Sequence, residues 1–189
     1  MLKVKVIWGT HRDETFGEKP AKFTASLAEK QPEWEVEFLD LRTLAIPYEI
    51  GSPTPSQAKE QYADPAVSTW SQKVKEADAF IIVTTEYNHG YPAILKNALD
   101  HLYSEWHRKP VMFVGYGAEM GGARAVEQLR QVAVELHMAS IRDAVYIPWV
   151  WQAFNEDGTP VNEELAGKFE NAFQDLTWWG NALKQARTA

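Results

Sequence analysis

Short apolar runs alternate with amphipathic helical patterns along this chain, and that alternation limits its fold more than any other feature. Strands are predicted at the apolar runs, residues 2 to 8, 34 to 40, 79 to 84, 110 to 116 and 140 to 147. Helices are predicted where apolar residues recur at helical spacing, residues 21 to 30, 66 to 77, 92 to 102, 122 to 138 and about 162 to 186. This alternation predicts an α/β fold with helices on both faces of a parallel sheet.

The strand patterns also indicate where each strand lies in the sheet. AFIIVT (79 to 84) and PVMFVGY (110 to 116) are apolar on both alternating faces, as central strands are, whereas WEVEFLD (34 to 40) alternates strictly and suits an edge. Residues 41 to 65 contain four prolines and little periodicity. Because the alternation resumes directly after them, we expect a long excursion within a single domain spanning 1–189.

Composition excludes several classes of protein. The chain has no cysteine, so it has no disulfides, Cys-ligated metal or thiol nucleophile, and redox work requires a bound cofactor. A net charge of −7 argues against binding nucleic acid or anionic membranes, and the basic stretch WHRKP (106 to 110) is interpreted as a solvated turn. The N-terminus lacks an apolar signal region and no apolar run reaches the length of a membrane span, so a cytoplasmic protein is expected.

The loop after the first strand, GTHRDETFGEKPA, has the features of a phosphate site. Gly9 ends the strand, Thr10 and Thr15 offer hydroxyls, Arg12 offers a fork of donors, and a helix start follows. The pattern is neither GxxxxGK[ST] nor GxGxxG, so a single phosphomonoester fits it better than a P-loop or a dinucleotide site. Taken alone, the loop is explained equally well as a Gly/Thr turn with a solvated arginine.

The loops after the third and fourth strands suit a flat ring. Tyr87 and Asn88 beside Gly90 give a flat apolar face, amide donors and a close backbone approach, and GYGAEMGG holds four glycines in eight residues. Ligands of open parallel sheets bind at the carboxyl ends of the strands, where these loops meet. A phosphate at one end and a ring between two loops indicate a mononucleotide, and the residues alone leave a flavin and a base open.

Three segments resemble motifs of one family, the NADPH-dependent FMN reductases. GTHRDETFGEKPA resembles the family's GSxRxxSxNxxxA opening, TEYNHGYPAILKNALDHL its PEYNxSxPxxLKNAID signature, and GGARAVEQLR its GGxRAxxxLR segment. The resemblance implies a flavodoxin-like, doubly wound sheet of five parallel strands in the order 2-1-3-4-5. It also implies FMN as cofactor, NADPH or NADH as hydride donor, a small-molecule acceptor, and no acid–base or covalent catalytic residue.

The resemblance further implies which residues bind FMN. The phosphate would be surrounded by Thr10, Arg12, Thr15, Phe16 and Gly17. The isoalloxazine would be lined by Glu86, Tyr87, Asn88, His89 and Gly90, mostly through main chain, with Gly117 and Gly121 closing the far side. The helix LKNALDHL commonly forms the family's dimer interface, which implies a homodimer or homotetramer, and Leu95, Leu99 and Leu102 serve either that interface or the core.

The first loop also departs from the family pattern. Gly17 stands where the family has asparagine, and Pro20 requires the helix to begin near residues 17 to 19 or to be kinked. Asp13, Glu14 and Glu18 add negative charge beside the phosphate site. Two alternatives therefore stay open: a scaffold that binds FMN weakly, and a flavodoxin-type electron carrier without NAD(P)H activity.

Two remaining groups of residues are interpreted conservatively. The five histidines show no HxxxH or HExxH spacing and are interpreted as surface residues, not metal ligands. Four tryptophans near the C-terminus are interpreted as core or subunit-interface residues: Trp149, Trp151, Trp178 and Trp179.

Overall fold

The computed structural model describes residues 1–13 and 15–188, and its strands form one parallel sheet in the order β2-β1-β3-β4-β5. The strands are β1 (Leu2–Gly9), β2 (Trp34–Asp40), β3 (Ala79–Thr85), β4 (Pro110–Tyr116) and β5 (Ala139–Ile147). Every predicted strand is confirmed, and its bounds agree to within one residue. The predicted flavodoxin-like order is also confirmed, with the strictly alternating β2 at an edge and the all-apolar β3 at the centre.

The helices are α1 (Glu18–Ala28), α2 (Pro55–Ala58), α3 (Pro65–Glu76), α4 (Ala93–Asp100), α5 (Ala123–Glu135) and α6 (Gly167–Thr188). Because α1 begins at Glu18, Pro20 lies in its first turn, where an N–H has no intrahelical acceptor, and the expected early helix start is confirmed. By contrast, α6 begins later than the predicted residue 162. Asn162 instead caps a separate 3₁₀ turn, Glu163–Leu165, by accepting a bond from the Glu164 N–H at 2.9 Å.

Two apolar cores lie on opposite faces of the sheet. Helices α1 and α6 pack on one face, and α3, α4 and α5 pack on the other. Leu95, Leu99 and Leu102 are each 1% exposed and belong to the second core. Of the two roles left open for these leucines, the structure therefore assigns the core, and a dimer formed through α4 has to use the other side of that helix.

The amino edge of the sheet is tied to the end of α6 by charged groups. Asp78, just before β3, accepts hydrogen bonds from Lys184 Nζ at 2.7 Å, Arg187 Nη2 at 3.0 Å and the Lys3 N–H at 3.0 Å. These bonds join three elements, β1, β3 and α6, at one carboxylate.

The interpretation of WHRKP as a solvated turn is wrong for three of its residues, including Pro110, which is buried as the first residue of β4. Trp106 is fully buried, and Lys109 is 5% exposed. Lys109 Nζ donates to the carbonyls of Val74 at 2.7 Å and Lys75 at 2.9 Å. The last carbonyls of a helix lack intrahelical donors, so the end of α3 supplies the partners that make a buried lysine tolerable.

The Asp78 interactions predict an acid-sensitive contribution to stability. Burial alone would raise the pKa of Asp78, but hydrogen bonds from Lys184 and the Lys3 N–H, with the charges of Lys184 and Arg187, lower it below the usual 3.8. A carboxyl whose pKa is lowered by folding contributes its full stabilisation above the unfolded-state pKa. This contribution is lost as the pH falls through the lower, folded-state pKa. Asp78→Asn should therefore reduce the free energy of unfolding at pH 7 by roughly 2 kcal/mol, limited by the partial exposure of Lys184.

Urea unfolding of the wild type and Asp78→Asn at pH 7 and pH 3 measures this contribution. The difference between the two proteins should shrink at pH 3, and an equal difference at both values would show that the carboxylate charge is not its source. Asp143→Asn is the control, because Asp143 pairs with an Arg142 side chain that is 94% exposed, and it should change little.

Some histidines and tryptophans are placed differently from their sequence interpretation. His101 is buried at 4% exposure, with Nδ1 bonded to the Asn97 carbonyl at 2.9 Å, so the surface interpretation is wrong for this residue. His107 and His137 are distant in sequence, yet their ring centroids lie 4.4 Å apart. Within residues 1–13 and 15–188, no three His, Cys, Asp or Glu side chains are grouped to hold a metal ion.

The four C-terminal tryptophans lie at the surface. They are 36 to 64% exposed and form two edge-to-face pairs, Trp149 with Trp151 and Trp178 with Trp179. The interpretation of these tryptophans as core residues is therefore wrong, and the interpretation as subunit-interface residues stays a prediction. Among the helices of the described residues, none has the length and apolar character needed to cross a membrane.

Candidate functional site

The three loops singled out in the sequence meet at the carboxyl edge of the sheet. They follow β1, β3 and β4, which are adjacent strands. The rings of His11 and Tyr87 meet edge-on, with centroids 5.7 Å apart, which joins the first loop to the second. A Cβ on Gly117 would lie 3.9 Å from Glu86 Cβ, which joins the second loop to the third. The structure thus brings the predicted site residues together at one edge.

The first loop is shaped by two threonines that bond to its own backbone. Thr10 Oγ1 accepts from the Arg12 N–H at 3.3 Å, and Thr15 Oγ1 accepts from the Gly17 N–H at 3.2 Å. No described residue accepts a hydrogen bond from four other N–H groups of the loop, those of His11, Asp13, Thr15 and Phe16. With the start of α1 immediately after it, the loop has the donors and the helix dipole that bind a phosphate.

The charges around the first loop also suit an anion. The Arg12 side chain is exposed, and no described carboxylate forms an ion pair with it. Glu18, one of the three acidic residues that argued against phosphate, is paired with Lys22 one turn along α1. Asp13 is exposed, and Glu14 lies outside the described residues. Lys22 of α1 therefore neutralises part of the negative charge near the loop.

Arg42, in the excursion after β2, forms a hydrogen bond to the backbone of the first loop. Its Nη1 donates to the Arg12 carbonyl at 3.2 Å, and its guanidinium lies 4.3 Å from the centroid of a Trp8 ring. Hydrogen bonds with Asp40 raise its pKa and hold the side chain in place. Sequence reasoning missed Arg42, because a single arginine in an aperiodic segment gives no local signal of this contact.

The second loop forms a closed turn at residues 87 to 90. The Tyr87 N–H donates to the Gly90 carbonyl at 2.8 Å, and the Gly90 N–H donates to the Tyr87 carbonyl at 2.9 Å. Asn88 and His89 both have positive φ, 50° and 70°, as in a type I′ turn. No described residue accepts from their N–H groups, which leaves two adjacent donors for the polar edge of a ring.

Glu86 is committed to protein contacts. Its side chain is 7% exposed, its Oε2 accepts from the Arg124 N–H at 3.1 Å, and its carboxylate is ion-paired with the Arg124 guanidinium. This carboxylate caps the first turn of α5. It is therefore not free to act as a general base, and the main chain of Glu86 is the part left for a ligand.

The third loop folds tightly against the end of β4. Gly121 and Gly122 have φ of +58° and +85°, and a Cβ on Gly122 would lie 2.7 Å from the Tyr116 backbone nitrogen. The Gly117 N–H donates to the Ile147 carbonyl at 3.2 Å, and the Trp149 N–H donates to the Ala118 carbonyl at 3.0 Å. Glycine is required here because the backbones of β4, this loop and the end of β5 approach one another too closely for side chains.

Three features at one sheet edge define a mononucleotide-binding protein of the flavodoxin-like class: a phosphate-type loop at a helix start, a preformed turn with two N–H donors that no described residue accepts from, and a glycine-rich loop. These donors and close backbone approaches fit FMN. Residues 2–152 match the family described as NADPH-dependent FMN reductase, and the chain belongs to this family.

Individual relatives agree with this assignment. An NAD(P)H-dependent FMN reductase of Saccharomyces cerevisiae is 36% identical over 87% of this chain and 93% of its own length. A 2-hydroxy-1,4-benzoquinone reductase of a Burkholderia species is 29% identical over 92% of this chain and 93% of its own length. The flavoenzyme FerB of Paracoccus denitrificans, an NAD(P)H:(acceptor) oxidoreductase, shares the fold with a TM-score of 0.75, 24% identity and 98% coverage of both chains.

Proposed function

We propose that this protein is an FMN-dependent NAD(P)H oxidoreductase of the quinone reductase type, which passes reducing equivalents to a small acceptor. The observation that carries the proposal is the set of N–H donors in the first loop and the 87–90 turn that no described residue accepts from, at one sheet edge of a chain in this family. FMN, when bound, would supply the hydride-transfer chemistry between NAD(P)H and the acceptor.

In this proposal the protein binds and orients the cofactor. Thr10, Arg12, Thr15, Phe16 and Gly17 form the phosphate site, in which the Arg12 guanidinium and loop N–H groups neutralise the dianion.

The remaining residues hold the ring. Donors from Asn88 and His89 hold its polar edge, where negative charge accumulates on reduction. Tyr87 and Gly90 close the turn that presents these donors. The Glu86 carboxylate is bonded to Arg124, so only the main chain of Glu86 is available to the ring. Gly117 and Gly121 allow the close backbone approach on the far side.

We also propose that residues 1–189 form a single cytoplasmic domain that assembles as a homodimer or homotetramer. Two cores on the faces of one sheet support a single domain. The exposed tryptophan pairs support assembly, because clustered aromatic side chains at a surface are typical of subunit interfaces. The net charge of −7 supports small-molecule partners over nucleic acid or anionic membranes.

An absorbance titration with FMN, followed by anaerobic NADPH in the same cuvette, tests the function. The expected result is a perturbed flavin spectrum that bleaches when NADPH is added, without any partner reductase. Binding without bleaching by NADPH or NADH would identify an electron carrier instead. A spectrum that remains that of free flavin at saturating FMN would favour the scaffold that binds FMN weakly.

A further inference from the structure

The space beside Gly17, where a side chain would lie, is occupied by Tyr116 from strand β4. Gly17 is buried at the start of α1, and a Cβ built on it would lie 2.1 Å from the Tyr116 hydroxyl oxygen and 2.4 Å from Cζ. Tyr116 is the last residue of β4 and is 2% exposed. Its side chain therefore reaches past β3 to the first loop, where it fills the space that a side chain at position 17 would need.

The Tyr116 hydroxyl also connects the elements that carry the first loop. It accepts a hydrogen bond from Trp8 Nε1 at 3.1 Å, and Trp8 lies on β1 just before the loop. Burial raises the pKa of Tyr116 to about 12, against the smaller lowering effect of the hydrogen bond from Trp8. The hydroxyl therefore keeps its proton at neutral pH while it accepts the bond from Trp8 and fills the space beside Gly17.

We infer that Tyr116 is a positioning residue for the cofactor phosphate, because its hydroxyl holds the first loop in its phosphate-binding shape from the place where a side chain at position 17 would lie. The inference rests on the proposed binding of FMN. It gives a residue of β4 a part in shaping the first loop of a chain that has glycine at position 17.

This role affects one end of the ligand only. The hydroxyl interacts with Trp8 and the first loop, whereas the 87–90 turn is closed by its own two hydrogen bonds. Removing the hydroxyl while keeping the ring should therefore loosen the phosphate site and leave the ring site intact. FMN and riboflavin differ by the phosphate alone, so the ratio of their affinities separates this role from general support of the fold.

Dissociation constants for FMN and riboflavin, measured by flavin fluorescence on the wild type and Tyr116→Phe, test the inference. Tyr116→Phe keeps the ring that fills the core, and the variant is expected to bind FMN about tenfold more weakly with riboflavin affinity unchanged. The ³¹P resonance of bound FMN should also shift. Tyr146→Phe, on β5, is the matched control, because its hydroxyl bonds to no described residue, and it should alter neither flavin.

Each other outcome contradicts the inference in a recognisable way. If Tyr116→Phe weakens FMN and riboflavin by the same factor, the tyrosine supports the fold in general and does not position the phosphate loop. If neither affinity changes and the ³¹P resonance stays in place, the hydroxyl has no role in binding. If the wild type binds no FMN, the proposed function fails together with this inference, whereas a failure confined to the variant comparison leaves the function standing.

Discussion

Gly122→Ala is expected to lower the free energy of unfolding by roughly 3 kcal/mol. Two costs combine: φ is +85°, which an alanine adopts only with strain, and the new Cβ would lie 2.7 Å from the Tyr116 nitrogen and 2.8 Å from Gly115 Cα. Both neighbours are backbone atoms of a central strand and cannot move aside without disturbing the sheet. Urea denaturation, read as the shift in midpoint at constant slope, measures the loss.

Gly158→Ala is the matched control for this substitution. Gly158 has φ +84°, almost the same as Gly122, but a Cβ there would meet nothing within 4 Å. Its alanine variant should therefore lose only about 1 kcal/mol, from backbone strain alone. Equal losses in the two variants would show that close packing of the third loop against β4 is not what requires glycine at position 122.

Arg12→Ala is expected to weaken FMN binding by roughly ten- to fiftyfold and to leave riboflavin binding unchanged. The Arg12 side chain is exposed in a loop with four N–H groups that no described residue accepts from, and a charge-assisted bond to a phosphate dianion is among the stronger polar contacts available to it. The FMN affinity of the variant should also depend less on salt, because one screened charge pair is gone. Titrations at low and moderate ionic strength measure both effects.

The control for Arg12 is Arg142→Ala, which removes the same charge from a β5 side chain that is 94% exposed. Its FMN affinity should match that of the wild type. If the two variants weaken FMN binding equally, net charge is responsible and Arg12 has no special position. If Arg12→Ala weakens riboflavin as strongly as FMN, Arg12 shapes the loop without contacting the phosphate.

Much of this fold was predictable because the signals that specify it are local. A central strand such as β3 must be apolar on both faces, and an edge strand such as β2 on alternate residues only, so the strands and their central or edge placement were readable from short segments. The full strand order came from the family resemblance. The position of Pro20 likewise predicted where α1 begins, since the first turn of a helix tolerates the missing N–H.

The incorrect or missing predictions concern contacts between residues distant in the chain. The Tyr116 side chain fills the space beside Gly17, but nothing in the sequence around either residue indicates this contact. Lys109 was interpreted as solvated because lysines usually are, and only the end of α3 explains its burial. Helical spacing placed Leu95 on an apolar face but did not say whether that face met the core or a second subunit.

The charged contacts of Asp78 and the ligand loops lie at opposite ends of β3. The seven residues of β3 lie between Asp78 and Glu86, so the two are eight residue steps apart, a distance of roughly 26 Å at the rise of a β-strand. Free-energy changes at sites this far apart add almost independently. A substitution in the ligand loops that lowers stability can therefore be offset by stronger charged contacts at the amino edge, without any change in the apolar cores.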